Sequence, residues 1–378
     1  MLITPLEQDG KNLSLSLRGK LQHRLTKFFG KQSFSHENYG YLNACLRGRT
    51  SRLFKTEDYS IIARGTLQSL EQFLLESHYG ESLRLKLVTS RGGPLRRIEA
   101  AIAHEVNLQL RFVQEKAEGE AKELLGVVLA RSDLMNGRIL LRALHTGSKN
   151  GEEPQWHNYG NLTEGFYSDL WKNTKTATDI IEGCRALGHP YALAIAASFA
   201  ELDQSGNLVR AERMLLLSML DLFWKKVGQF NSGNSRLLQE YLERSIDMWN
   251  LGIWLRQRYG QVSTVEATKM YLQNGRWIFI EKLSKTTILS EVVQGTPWQG
   301  IIKPIENSKP QEFQRALFVQ FMKWQSDLFR ADPLGVAVGL GFIAKYLIEW
   351  QNLSLLAVGL SLGLSEKELE SHLIPIHS

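Results

Sequence analysis

The side chains best suited to chemistry are few and scattered in this sequence. Nine histidines occur (His23, His36, His78, His104, His145, His157, His189, His372 and His377), and no two are four residues apart, the spacing that puts two zinc ligands on one helical face. His104-Glu105 opens a string like that of the zinc peptidases, but Leu108 stands where the second histidine is required. Cys45 and Cys184 are the only cysteines and lie 139 residues apart, which suits separate thiols in a reducing compartment. No phosphate-cradling Gly-x-x-x-x-Gly-Lys loop and no Gly-x-Ser-x-Gly elbow is present. The paired acids Glu57-Asp58 and Glu152-Glu153 suit loops or the first turns of helices, where carboxylates face the positive end of the dipole. Val336-Ala-Val-Gly-Leu-Gly341-Phe-Ile-Ala344 has the glycine spacing of a dinucleotide turn, which requires a preceding strand. Here Asp332-Pro333 reads as a helix start and the run continues helically into Lys345–Glu349, so its small residues read as a close packing surface. The sequence therefore predicts no catalytic, cofactor-binding or metal-binding residue.

The elements are helical. In Ala211 to Lys226 the apolar residues fill one broad stripe and the charges gather at the ends. Arg97 to Val113 and Gln311 to Leu328 read the same way. Only Leu83-Arg-Leu-Lys-Leu-Val88 alternates as a strand would, and it is isolated. With 9 prolines in 378 residues, helices run uninterrupted, and the fold class expected is all-α. Loops are expected at 147–154, 228–235 and 306–310. The longest uncharged stretches, Ala186 to Ala200 and Trp350 to Ser365, fall short of the roughly 18–20 apolar residues of a membrane span. Met1 to Gly10 has no apolar core of a signal peptide, so a cytoplasmic protein is expected and the sequons at Asn12 and Asn161 carry no weight.

Two signatures recur. Asp133-Leu-Met-Asn136 returns as Asp247-Met-Trp-Asn250 and as Glu349-Trp-Gln-Asn352, each followed by an apolar helical run that ends in Gly147, Gly260 or Gly363. Leu187-Gly-His-Pro-Tyr191 returns as Val293-Gln-Gly-Thr-Pro-Trp298, with an echo at Leu75-Glu-Ser-His-Tyr79. The aromatics precede the next signature acids (Tyr79 before Asp133, Tyr191 before Asp247, Trp298 before Glu349) by 54, 56 and 51 residues, so the two signatures keep one phase. A fainter copy of the Asn helix is Tyr39-Gly-Tyr-Leu-Asn43. Three similar helical lobes of roughly 100–115 residues follow, at 1–135, 136–249 and 250–378. Asp133, Asn136, Asp247, Asn250, Glu349, Asn352, Tyr191 and Trp298 are read as structural, with the glycines as left-handed helix ends and the prolines as helix starts.

The formal charge is +6, and residues 1–100, with 16 basic and 9 acidic side chains, carry more than all of it. The first lobe is thus basic, and Arg47, Arg49 and Arg52 are the candidates for facing an acidic partner.

From Tyr39 to Leu373 the chain resembles the C subunits of the V/A-type (vacuolar/archaeal-type) rotary ATPases, whose counterpart in the eukaryotic vacuolar enzyme is its d subunit. Tyr39-Gly-Tyr-Leu-Asn-Ala-Cys-Leu-Arg47 is similar to that family's Tyr-x-x-x-Asn-Ala-x-x-Arg helix, and Asp332-Pro-Leu334 with Glu349-Trp-Gln-Asn-Leu-Ser-Leu-Leu-Ala-Val-Gly359 to its Asp-Pro-Leu and Glu-x-x-Asn-Leu-Arg segments. Departures are Ser354 for the family's Arg, Tyr346 for a frequent Glu, and Cys45-Leu46 for Arg-Val. The resemblance implies a funnel of three lobes about a pseudo-threefold axis. It also implies a non-catalytic coupling role, peripheral on the membrane within a multisubunit complex. The partners would be the central-stalk subunits, the membrane proteolipid ring and the membrane stator. No nucleic acid, substrate or cofactor is implied. The competing readings are a basic helical scaffold that binds nucleic acid, which lacks any accompanying recognition motif, and a helical enzyme.

Overall fold

Proline-poor stretches with wide apolar stripes fold as helices throughout. The computed structural model describes residues 38–90, 92–148, 152–301 and 310–376, and among these every regular element is helical. The first 37 residues of the expected basic lobe, the sequon at Asn12, residues 149–151 of one expected loop and most of another at 306–310 lie outside the described residues.

Four helices come first: α1 (Tyr39–Thr50), α2 (Thr56–Ala63), α3 (Leu67–Glu76) and α4 (Gly80–Thr89). The alternating run Leu83–Val88 lies inside α4 and is no strand. No neighbouring strand pairs with it, and Leu83 turns inward while Leu85, Leu87 and Val88 stay exposed. Next are α5 (Pro94–Lys116), α6 (Gly119–Leu129) and α7 (Arg131–His145), then α8 (Glu164–Asn173), α9 (Ala177–Leu187), α10 (Pro190–Ser205), α11 (Leu208–Val227) and α12 (Gly233–Arg258). Three short helices, α13 (Thr264–Met270), α14 (Ile280–Lys285) and α15 (Leu289–Val293), lead to a 3₁₀ turn at Pro297–Ile301. The chain closes with α16 (Pro310–Asp327), a 3₁₀ turn at Leu328–Arg330, α17 (Ala337–Ser361) and α18 (Glu366–His372). The expected lobe boundaries at 135/136 and 249/250 fall inside α7 and α12.

The core is a large apolar cluster with a small second one at Leu216, Ile246 and Leu272, and α17 runs through the large one, packed on α5, α16 and α1. Its glycines permit that approach. A Cβ on Gly341 would lie 2.4 Å from the Phe329 backbone nitrogen, and one on Gly339 would lie 2.8 Å from the Leu125 side chain. The Gly-x-Gly of this segment is thus a helix contact with no strand before it. The helix begins later than Asp332-Pro333 suggests. Asp332 Oδ1 accepts from Leu334 N (2.9 Å) in a separate turn, and the amide of Val336 is taken instead by Asn234 Oδ1 of α12 (2.9 Å). A partner distant in sequence therefore fixes this helix start. No described helix is long and apolar enough to cross a membrane.

Candidate functional site

The recurrent acids and asparagines sit at one turn of α7, α12 and α17, and all six are buried. Each asparagine makes the same pair of bonds to the backbone of one downstream residue. Asn136 donates through Nδ2 to His157 O (2.8 Å) and accepts from His157 N (2.9 Å). Asn250 does so with Leu272 (2.8 and 2.8 Å), and Asn352 with Ile374 (3.0 and 2.8 Å). The sequence separations are 21, 22 and 22 residues. An amide carries one donor side and one acceptor side, so it pairs with an extended residue as a β-partner would; a carboxylate could only accept. The three helices also end alike, with Gly147, Gly260 and Gly363 at φ of 69°, 69° and 71°, where a side chain would be strained. Asn43, the fainter copy, differs: its Nδ2 donates to Pro333 O and Gly335 O (both 2.9 Å), and its buried Oδ1 has no partner.

The acids gather backbone amides and ring hydroxyls. Asp133 accepts from Asn161 N (2.8 Å), Leu162 N (3.1 Å) and Tyr167 OH (2.9 Å). Burial pushes its carboxyl up to about 6 in spite of those bonds. Asp247 accepts from Trp277 N (3.2 Å), Ile278 N (3.0 Å) and Trp298 Nε1 (3.3 Å), and burial raises its pKa also. Glu349 reaches back along the chain, accepting from Phe54 N (2.7 Å) and Tyr79 OH (2.7 Å), with His78 Nε2 at 3.5 Å. Burial, followed by the Glu349 charge, holds the Tyr79 hydroxyl well above its ordinary pKa.

The aromatic signature shares one local device. The amide of Tyr79 is accepted by Ser77 Oγ (3.1 Å), that of Tyr191 by His189 Nδ1 (3.3 Å) and that of Trp298 by Thr296 Oγ1 (3.2 Å). Pro190 and Pro297 each open the helical turn that follows, a position whose missing N–H has no intrahelical partner to lose. The Tyr191 hydroxyl, raised by burial and then by the Asp133 charge, has no hydrogen-bond partner; Tyr167 takes its place on Asp133.

Each of these carboxylates faces N–H or hydroxyl groups of its own chain. The same holds elsewhere. His104 meets Ser82 Oγ (3.0 Å), while Glu105 accepts from Ser82 Oγ (2.8 Å) and Gln109 Nε2 (2.7 Å). Cys184 is a buried thiol that burial pushes up to about 12, and no metal-holding cluster occurs among the described residues. Sequence reasoning missed Glu120, buried between α1 and α12, which accepts from Tyr39 OH (3.1 Å), Asn234 Nδ2 (3.1 Å) and Ser232 Oγ. Nothing local marks it, since its partners lie 81 to 114 residues away.

The basic residues of α1 and its C-terminal turn divide. Arg47 is exposed, yet donates to Phe329 O (3.2 Å) across the Phe329 ring. Arg49 is half-buried on Gln109 Oε1 (2.7 Å) and lies 3.5 Å over the Phe112 ring, and its carbonyl accepts from Tyr346 OH (3.2 Å). Arg52 is exposed. An apolar cleft of about 520 Å³ lies between α7, the 157–159 turn, α16 and α17. Phe318, Leu347, Trp350, Leu355 and Val358 line it, together with Arg131 and Ser354. His157 lies there too, 5.2 Å from Trp350, and burial followed by the Arg131 charge drives its imidazole down to about 4.

The sequence model of the ATP synthase (C/AC39) subunit family matches residues 42–372. The C subunit of the V-type ATP synthase of Thermus thermophilus is 26% identical over 351 residues, covering 89% of this chain and 99% of that protein. The C subunit of the A-type ATP synthase of Methanococcoides burtonii is 24% identical over 354 residues, covering 91% and 96%. That of Haloferax volcanii is 25% identical over 353 residues, covering 89% and 97%.

Proposed function

The chain belongs to the ATP synthase (C/AC39) subunit family, and on that premise we propose that it is the non-catalytic coupling member of a V/A-type rotary ATPase. In this reading it joins the central stalk to the membrane proteolipid ring and carries torque between them, for ATP-driven ion transport or for ATP synthesis. It sits peripherally on the cytoplasmic face of the membrane, with the stator as a further neighbour. The observation that carries the reading is the family match along nearly the whole described chain, shared with relatives named as ATP synthase C subunits.

The geometry supports it. Torque transmission requires stiffness, and the hydrogen-bonded acids and asparagines buried in α7, α12 and α17 hold those helices to one arrangement. We place the stalk in the apolar cleft of α7, α16 and α17, and assign the three lobes to the units built around Asn136, Asn250 and Asn352. Arg52 and the exposed edge of Arg47 offer charge to an acidic neighbour.

The test is co-purification and calorimetry with co-expressed stalk and ring subunits of the same organism. Both should bind, and the isolated protein should hydrolyse no ATP. Failure to bind either of them, at any salt concentration, would refute the assignment.

A further inference from the structure

The helix α7 has two faces with different work. Asp133 and Asn136 point into the core, whereas Arg131, Met135, Arg138 and Arg142, spaced by four, three and four residues, share the opposite face. Arg131 stands at the rim of the apolar cleft, 5.6 Å from the Phe318 ring centre. Arg138 is mostly buried against Trp249, 5.8 Å from its ring centre, and its Nε has no hydrogen-bond partner. Arg256 of α12 adds a fourth guanidinium, which meets the Gln314 amide oxygen at 3.0 and 3.2 Å when that amide is turned to satisfy both groups. Burial lowers the pKa of Arg138; the Glu212 charge opposes this, and the charges of Arg142, Arg131 and Arg256 add to it.

One carboxylate answers this group. Glu212 accepts from Arg142 Nε (2.6 Å) and Nη2 (3.3 Å). Arg131, Arg138 and Arg256 form no ion pair with any described residue. Gathered like charges, one of them poorly solvated, disfavour the isolated protein and favour an anionic partner. Arg131 lines the cleft, and the apolar cleft wall says what else that partner carries.

We propose that the row Arg131–Arg138–Arg256 reads carboxylates on the partner seated in the apolar cleft, and that this partner is a stalk helix end bearing Asp or Glu beside large apolar side chains. Planar guanidinium forks suit carboxylates, which they bind bidentately. The apolar side chains would enter between Phe318, Trp350 and Leu355, and the acids would lie along α7. The inference rests on the coupling reading, and it adds the chemistry by which the stalk is recognised.

The experiment is calorimetry against the purified central stalk of the same organism at about 50 and 300 mM NaCl, using wild type and Arg131→Gln, Arg138→Gln, Arg256→Gln and Arg111→Gln. Arg111→Gln, an exposed change outside the cleft, serves as the control. Each change in the row should weaken binding roughly tenfold at low salt and flatten the salt dependence, whereas the control should match wild type. Arg138→Lys, which keeps the charge, should retain more affinity than Arg138→Gln. Melting temperatures distinguish recognition from a structural role: Arg138 has no direct ion pair, and burial with three neighbouring guanidiniums outweighs the Glu212 charge, so Arg138→Gln should melt at or above the wild-type temperature. Stalk binding by the row variants within twofold of wild type, with an unchanged salt slope, would overturn the inference and leave the coupling reading standing. If the wild type binds no stalk, both fall. If the row variants lose binding to anionic phospholipid vesicles while keeping the stalk, the arginines serve a membrane surface and the inference is overturned.

Discussion

Asp133 and Glu349 occupy equivalent positions, three residues before an asparagine that bridges to a segment 21 or 22 residues downstream. They differ in where the acid finds its partners. Asp133 takes Asn161, Leu162 and Tyr167, within 34 residues of itself. Glu349 takes Phe54 and Tyr79, 295 and 270 residues earlier. One frame therefore closes a local loop in α7 and ties opposite ends of the described chain together in α17. The longer glutamate side chain is present where the bond joins separate segments. Long-range closure costs more chain entropy before it is repaid, so the α17 contact depends on the rest of the fold in a way that the α7 contact does not.

The strongest test of this contrast is Glu349→Ala. It strands the Phe54 amide and the Tyr79 hydroxyl in the core, a loss of about 3–5 kcal/mol by urea unfolding. Amide exchange should rise across 54–89, far from the mutation in sequence, whereas Asp133→Ala should loosen chiefly 157–167. Identical exchange patterns in the two variants would erase the distinction.

The asparagines sharpen what the two regions share. Asn250→Leu and Asn352→Leu each leave one backbone N–H and one C=O unpaired, at Leu272 and Ile374, and each should cost about 2–4 kcal/mol. Costs that differ by more than about 2 kcal/mol would mean that the equal geometry hides unequal roles.

A smaller effect is set by pH. Burial raises the Asp133 carboxyl from 3.8 to about 6. Between those values the folded chain keeps a proton that the unfolded chain has released, so this group's contribution to stability falls as pH rises through the window. The lead of wild type over Asp133→Asn should be greatest near pH 4 and shrink by up to about 3 kcal/mol at pH 7, as measured by urea titration at each pH. A lead that grows with pH would show that the amide and hydroxyl bonds outweigh burial.

The least effect is expected where structure is wholly local. Thr176 caps α9 through Asp179 N (3.2 Å), and its own amide donates to Asp179 Oδ2 (2.9 Å). Thr176→Ala should cost about 1 kcal/mol in thermal unfolding, with exchange changes limited to the start of α9.

Much of this architecture is legible in the chain, for physical reasons that differ by residue. The helix ends at Gly147, Gly260 and Gly363 and the starts at Pro190 and Pro297 follow from backbone sterics within a few residues. The recurrent acid and asparagine positions stand out because identical geometry needs the same side-chain types. The run at Leu83–Val88 misleads because alternation makes no strand without a neighbour to pair with. The start of α17 lies later than its own turn residues suggest because Asn234, on another helix, accepts from the Val336 amide.

The all-helical class, the family and the identity of the recurring residues belong to the linear chain, since periodicity, turn chemistry and motif order are local properties. Who meets whom belongs to the packed molecule. Spacing sets Trp298 51 residues before Glu349, yet its indole donates to Asp247 behind it, and Glu349 is answered by Tyr79 from the far side of the chain. Packing likewise lays Arg49 on Phe112 while Arg131 and Arg138 are left without a direct ion pair among the described residues. An acid or a base carries the same charge wherever it stands along a chain; its partner is chosen by helix packing, which brings together residues that no local pattern connects.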